Sequence, residues 1–137
     1  MSNTHKIIIT KMSKPSVAII VPFKIQQGQN RQWELQQFIP HMTSMMDRLL
    51  QKQDIIKYHI YVIEQHYENK FNRGLLLNIG AYLCHKSYDT FIFHDVDLLP
   101  DKNLQRWYSH LPIYLQRYDR QFNICGPIHI ASCWKDR

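Results

Sequence analysis

Hydrophobic positions fall into a short series of runs separated by polar loops, and their spacing predicts the elements. Residues 16–23, Ser-Val-Ala-Ile-Ile-Val-Pro-Phe, are apolar almost without interruption, which suits a strand buried on both faces. Pro22 has no amide hydrogen to give a ladder, so the strand is expected to end there. Residues 24–30 form a Gln-rich polar loop containing Gly28. Over 32–53, Trp33, Leu35, Phe38, Ile39, Met42, Met45, Met46, Leu49 and Leu50 recur at three- and four-residue spacing, which predicts a helix with a methionine-rich core face. Pro40 lies inside that pattern and is expected to kink or split the helix. Residues 57–64, Lys-Tyr-His-Ile-Tyr-Val-Ile-Glu, read as a second strand, and 65–70 as a loop. Asn72 is a good N-cap with apolar Phe71 before it, and the helix that follows over 73–85 is expected to bury Leu75, Leu76, Ile79 and Leu83. Thr90 to Phe93 is β-branched or aromatic throughout, a third buried strand. Beyond Pro100 the pattern weakens to one or two short helices over 103–118 and a short strand over 126–132.

Strand, helix, strand, helix, strand in this order predicts an α/β fold with a mostly parallel sheet and right-handed crossovers. Ligands of such sheets bind beyond the carboxyl ends of the strands. Three segments fall at those ends: Pro22-Phe23-Lys24, Glu64-Gln65 and Asp95-Val96-Asp97. In the last segment two carboxylates stand two residues apart and so point the same way on an extended backbone. They repel one another unless something positive is beside them. A hard divalent cation shared with substrate phosphates is a common solution, so the third strand is expected to end in a metal and nucleotide site. The plain alternative is an acidic turn that closes a strand and binds nothing. His41, His94 and His129 read as core or polar-edge histidines, with His94 the nearest to the site.

The length of 137 residues suits one domain, and 45% hydrophobic residues exclude wholesale disorder. The expected division is a flexible tail over 1–15 and a single domain over 16–137. A net charge of +6 and a pI near 9.3 suit an anionic partner, but the lysines and arginines form no run, so nucleic acid is not expected. Cys84, Cys125 and Cys133 are odd in number and lack Cys-x-x-Cys spacing, which argues against a disulfide framework and a zinc site. No stretch is apolar and long enough to span a membrane, and residues 1–14 contain no signal-peptide core, so the chain by itself reads as cytoplasmic.

Four segments then fit one pattern, in order and at matching spacing. They are Val17-Ala18-Ile19-Ile20-Val21-Pro22-Phe23-Lys24, Ile60-Tyr61-Val62-Ile63-Glu64-Gln65, the stretch from Phe71-Asn72-Arg73 to Asn78-Ile79-Gly80, and His94-Asp95-Val96-Asp97-Leu98-Leu99-Pro100. Together they resemble the N-terminal half of the β-1,4-galactosyltransferase family. Ile39-Pro40-His41-Met42, the histidine before Asp95, and Gly126-Pro127-Ile128-His129-Ile130-Ala131-Ser132 resemble the branch that adds galactose to xylose. The resemblance implies a nucleotide-diphosphosugar transferase (GT-A-like) fold, UDP-galactose as donor, Mn2+ as cofactor and a glycan acceptor of the xylose or N-acetylglucosamine type. It implies that Asp97 is the metal ligand and that Asp95 and Val96 contact the nucleoside or sugar. By the same resemblance Pro22 and Phe23 line the uridine pocket, and Phe71 and Arg73 sit on the nucleotide, Arg73 near the diphosphate.

Three departures qualify the expectation. Lys24 stands where the family has Arg, and Gln26 and Gln27 stand near the family's second basic residue, for which Arg31 is the candidate substitute after a longer loop. The family's Trp-Gly-Trp-Gly-Gly-Glu-Asp-like segment, which carries its catalytic base and further metal ligands, has no counterpart, so the fold is expected to be truncated C-terminally and the catalytic residue is unknown. Family members are Golgi-lumenal, unlike the cytoplasmic expectation for this chain. Two functions follow: a galactosyltransferase or its donor-binding half, completed by a second chain or by self-association, and a non-catalytic module that binds a nucleotide-sugar or a partner.

Overall fold

The computed structural model describes residues 14–109. Expectations for 1–13, for 110–118 and for 126–132, together with Cys125, Cys133 and His129, lie outside the described residues. The elements are β1 (Ser16–Phe23), α1 (Arg31–Gln51), β2 (Lys57–Glu64), α2 (Arg73–Cys84), β3 (Thr90–Phe93) and a 3-10 turn over Gln105–Ser109. The sheet order is β2-β1-β3 and both pairings are parallel.

β1 is the central strand and every one of its residues is buried. Its alternate side chains serve two cores, as the period of a strand dictates. Val17, Ile19, Val21 and Phe23 face α1, where Phe38, Met42, Met45, Met46 and Leu49 meet them. Ala18 and Ile20 face α2 through Leu77 and Cys84. A strand that is apolar on both faces thus requires a helix on each side, and the two crossovers provide them.

Pro22 does not end β1, which continues to Phe23 opposite Glu64. The Ile20 carbonyl accepts from His94 N and so faces β3, while that of Phe23 accepts from Gln65 N and faces β2. By alternation the missing N–H of Pro22 falls on the β3 side, where the ladder has already stopped at Phe93. α1 likewise runs unsplit through Pro40. Pro40 and Gln36 are both exposed, so the helix carbonyl that loses its donor lies on the solvent side. Trp33 and Leu50 prove exposed rather than part of the methionine-rich face.

α2 presents a different face from the one expected. It buries Leu76, Leu77, Gly80 and Cys84, and leaves Leu75, Ile79 and Leu83 exposed. Gly80 is the reason: a Cβ at that position would come within 2.3 Å of Ile20 Cγ2 and 3.3 Å of Ile63 Cγ1. The small residues let the helix backbone lie against β1, and the bulkier stripe beside them is turned outward.

Candidate functional site

The carboxyl ends of the three strands and the amino ends of both helices meet at one edge of the sheet. Parallel pairing places Phe23, Glu64 and Phe93 at the same end, and each crossover then delivers the start of a helix there. A cleft of about 190 Å3 opens between them, lined by Pro22, Phe23, Lys24, Gln26, Arg31, Phe71, Arg73, Asp95, Val96 and Asp97. All eight residues singled out in the sequence are in that lining. Arg31 and Gln26 complete it. Arg31 is legible in sequence only as a substitute for a displaced basic residue, and Gln26 carries no signal beyond its loop.

Each carboxylate of the Asp95-Val96-Asp97 turn is met by a guanidinium from a helix start. Arg73, the first residue of α2, places Nε and Nη2 both 2.9 Å from Asp95 Oδ1. Arg31, the first residue of α1, lies with Nη1 3.4 Å from Asp97 Oδ2 and 2.8 Å from Glu34 Oε2. Burial alone would lower the Arg31 pKa, but Glu34 and then Asp97 raise it. The side chains of Arg31 and Asp97 are about a quarter and a third exposed, so solvent screens this pair and it is readily exchanged. Three cationic side chains therefore face two carboxylates across the cleft. Lys24 is turned partly aside, because its ammonium donates to the Asn69 carbonyl in the β2–α2 loop.

Behind the turn the chain is held by a buried histidine. His94 is fully buried and lies edge-on to Phe38 of α1. Its Nδ1 is 2.8 Å from the Asp95 carbonyl, which only accepts, so Nδ1–H donates. Its Nε2, 2.9 Å from Tyr108 Oη, then accepts from the phenol in the neutral ring. Burial pushes the His94 pKa down to about 4 against the smaller opposing effects of Asp95 and Asp97, and it pushes Tyr108 up. His94 thus braces the backbone of the turn and does not line the cleft. His41 Nε2–H donates to the Pro100 carbonyl at 2.6 Å, tying α1 to the far side of the same turn.

Among the described residues no group of three or more His, Cys, Asp or Glu is placed to hold a metal ion. What the cleft offers a hard cation is Asp97, with Asp95 beside it already committed to Arg73. That donor set fits a cation whose remaining ligands are phosphate oxygens and water.

A model described as the N-terminal region of glycosyl transferase group 7 matches residues 10–110. The chain belongs to glycosyl transferase group 7. β-1,4-Galactosyltransferase 7 of Drosophila melanogaster is 36% identical over 118 residues, 85% of this chain and 29% of that protein. Human β-1,4-galactosyltransferase 2 is 42% identical over 96 residues, 66% of this chain and 23% of that protein. The chain therefore spans less than a third of the length of these group 7 relatives. Among solved structures, the catalytic domain of Drosophila β-1,4-galactosyltransferase 7 in complex with xylobiose is 40% identical, with a TM-score of 0.52 over 65% of this chain and 34% of that one. A mutant of the same protein, similar to the same extent, has been solved with manganese, UDP-Gal and xylobiose. The group 7 fold is accordingly GT-A-like, and the parallel sheet with flanking helices described above is its N-terminal portion. Among the described residues no helix is long and apolar enough to cross a membrane.

Proposed function

We propose that this chain is the donor-binding half of a galactosyltransferase-type enzyme, taking UDP-galactose with manganese. The observation that carries the proposal is the convergence of Pro22, Phe23, Lys24, Phe71, Arg73, Asp95, Val96 and Asp97 on one cleft at the carboxyl edge of the sheet. Phe71 and Phe23 offer flat apolar faces to a base or ribose. Arg73 and Arg31 offer planar forks that match phosphate oxygens. Asp97 and the diphosphate would hold the manganese, which offsets the charge of the leaving nucleotide. The solved Drosophila relative is in complex with manganese, UDP-Gal and xylobiose, which supports the donor and makes a xylose-type acceptor the first to try.

The described residues of the cleft bind and orient the donor, and a base is not among them. Glycosyl transfer with inversion needs a group to take the acceptor hydroxyl proton within hydrogen-bond reach. The carboxylates lining the cleft among the described residues are Asp95 and Asp97, and both already face arginines. This favours a second reading, in which the chain binds a nucleotide-sugar without turning it over. A transfer assay from radiolabelled UDP-galactose to xyloside and N-acetylglucosaminide acceptors separates the two. Donor binding without transfer supports the binding half alone, and transfer lost in Asp97→Ala shows a complete enzyme. Arg73→Ala should weaken UDP by roughly tenfold, the scale of one lost charge-assisted hydrogen bond. UDP binding unaffected by both Arg73→Ala and Phe71→Ala would remove the nucleotide from this cleft.

A further inference from the structure

We propose that Gln65 is a positioning residue that sets Phe71 and Arg73 at the cleft without touching the ligand, an inference that rests on the cleft being the donor site. Gln65 follows the last residue of β2 and is 5% exposed, an unusual place for a long polar side chain. Its main-chain N–H donates to the Phe23 carbonyl, so the residue is fixed to the end of the central strand. Its side chain does not enter the donor cleft. The amide is instead consumed by the loop that follows. Nε2 faces the carbonyls of Asn69 at 2.9 Å, Lys70 at 3.3 Å and Tyr67 at 3.4 Å. Oε1 accepts from the main-chain N–H of Asn72 at 2.9 Å.

A side-chain amide has two donors and one acceptor oxygen, and here both ends are engaged by the same loop. Residues 66–70 are all exposed, so apolar burial does not hold them. The polypeptide wraps around the amide instead, and Lys24 adds a second donor to the Asn69 carbonyl. The consequence falls on the next residues. Lys70 and Asn72, both bound to the amide, flank Phe71. Asn72 then caps α2, its Oδ1 accepting from Leu75 N at 3.1 Å, and Arg73 begins the helix. The position of the Phe71 ring and the direction in which Arg73 reaches Asp95 are thus both set from one buried amide at the end of β2.

The test uses the full chain with Gln65→Met and the isosteric Gln65→Glu, whose carboxylate would oppose the three carbonyls. UDP is titrated calorimetrically in the presence of manganese, and amide hydrogen exchange is followed at Asn72, Leu75 and along β1. We expect UDP affinity to fall about tenfold or more, since a buried hydrogen-bond set is left unmade. Exchange should quicken at Asn72 and Leu75 while β1 keeps its protection. The loss should shrink in a Phe71→Ala or an Arg73→Ala background, because Gln65 acts through those two side chains. Unchanged affinity and exchange would overturn the proposal, as would a loss undiminished in both the Phe71→Ala and the Arg73→Ala backgrounds. A wild-type chain that does not bind UDP would refute the donor assignment, and the exchange measurement alone would then decide whether Gln65 sets the loop. A chain that folds with neither substitution would make Gln65 a requirement of the fold and also overturn it.

Discussion

On the proposed function Asp97 serves both a guanidinium and a cation, and each positive charge weakens the other's hold on it. In the described structure Arg31 stands 3.4 Å away, held from the other side by Glu34. Replacing Arg31 by Met should therefore strengthen manganese binding in the absence of nucleotide, by roughly two- to fivefold for so exposed a pair, while weakening UDP. Manganese titration with and without UDP checks both signs; weaker manganese binding by Arg31→Met would contradict the exchange. His94 makes a second prediction at this scale. Its folded pKa, near 4, lies below the ordinary 6.5, because burial outweighs the pull of Asp95 and Asp97, with His41 opposing the charge. The unfolded chain then binds the extra proton first. The stability contributed by neutral His94 is complete above about pH 6.5 and is lost as the pH falls toward 4, a change on the order of 3 kcal/mol. Urea denaturation across that window should show the loss, and His94→Gln should flatten it. An equal slope in the variant would contradict this assignment to His94.

The contact between α2 and β1 at Gly80 sets how closely the helix lies against the sheet. Gly80→Ala puts a methyl into Ile20 and should cost about 1–3 kcal/mol as overpacking. The cost should be smaller in an Ile20→Ala background, where the clashing atom is gone, and thermal denaturation of the four proteins measures the difference. An equal cost in both backgrounds would remove the contact from the explanation. This helix also shows where sequence pattern runs out. Leu75, Ile79 and Leu83 share helical spacing and large side chains and so join Leu76 in the expected core face, whereas Gly80 and Cys84 carry no comparable hydrophobic signal. Only the distance between two backbones decides in favour of the small residues, and that distance is a tertiary fact. Pro22 and Pro40 mislead for a related reason. A missing N–H breaks a strand or helix only where a partner is waiting for it. The strands themselves, by contrast, and the segments at their carboxyl ends, are legible because alternation and burial on both faces leave few other arrangements. Gln65 can be placed at the strand end but not assigned, since nothing in sequence says that a glutamine side chain will take up its own loop.

The molecule as a whole carries +6, and that charge asks for an explanation beyond one cleft. If it served nucleic acid, binding to unrelated DNA would be tight and would fall steeply with salt. The described lysines and arginines are instead divided between the cleft, where Lys24, Arg31 and Arg73 gather, and scattered surface positions. We expect weak, shallowly salt-dependent DNA binding in a gel-shift assay; tight and steeply salt-dependent binding would contradict this. The central claim is that the carboxyl edge of this sheet binds a nucleotide diphosphate through a metal held by Asp97. Calorimetric titration of UDP into the chain, with and without manganese, for wild type and Asp97→Ala, tests it most directly. The account predicts tighter UDP binding with manganese in the wild type and no such difference in Asp97→Ala. Equal binding with and without manganese in the wild type would contradict it.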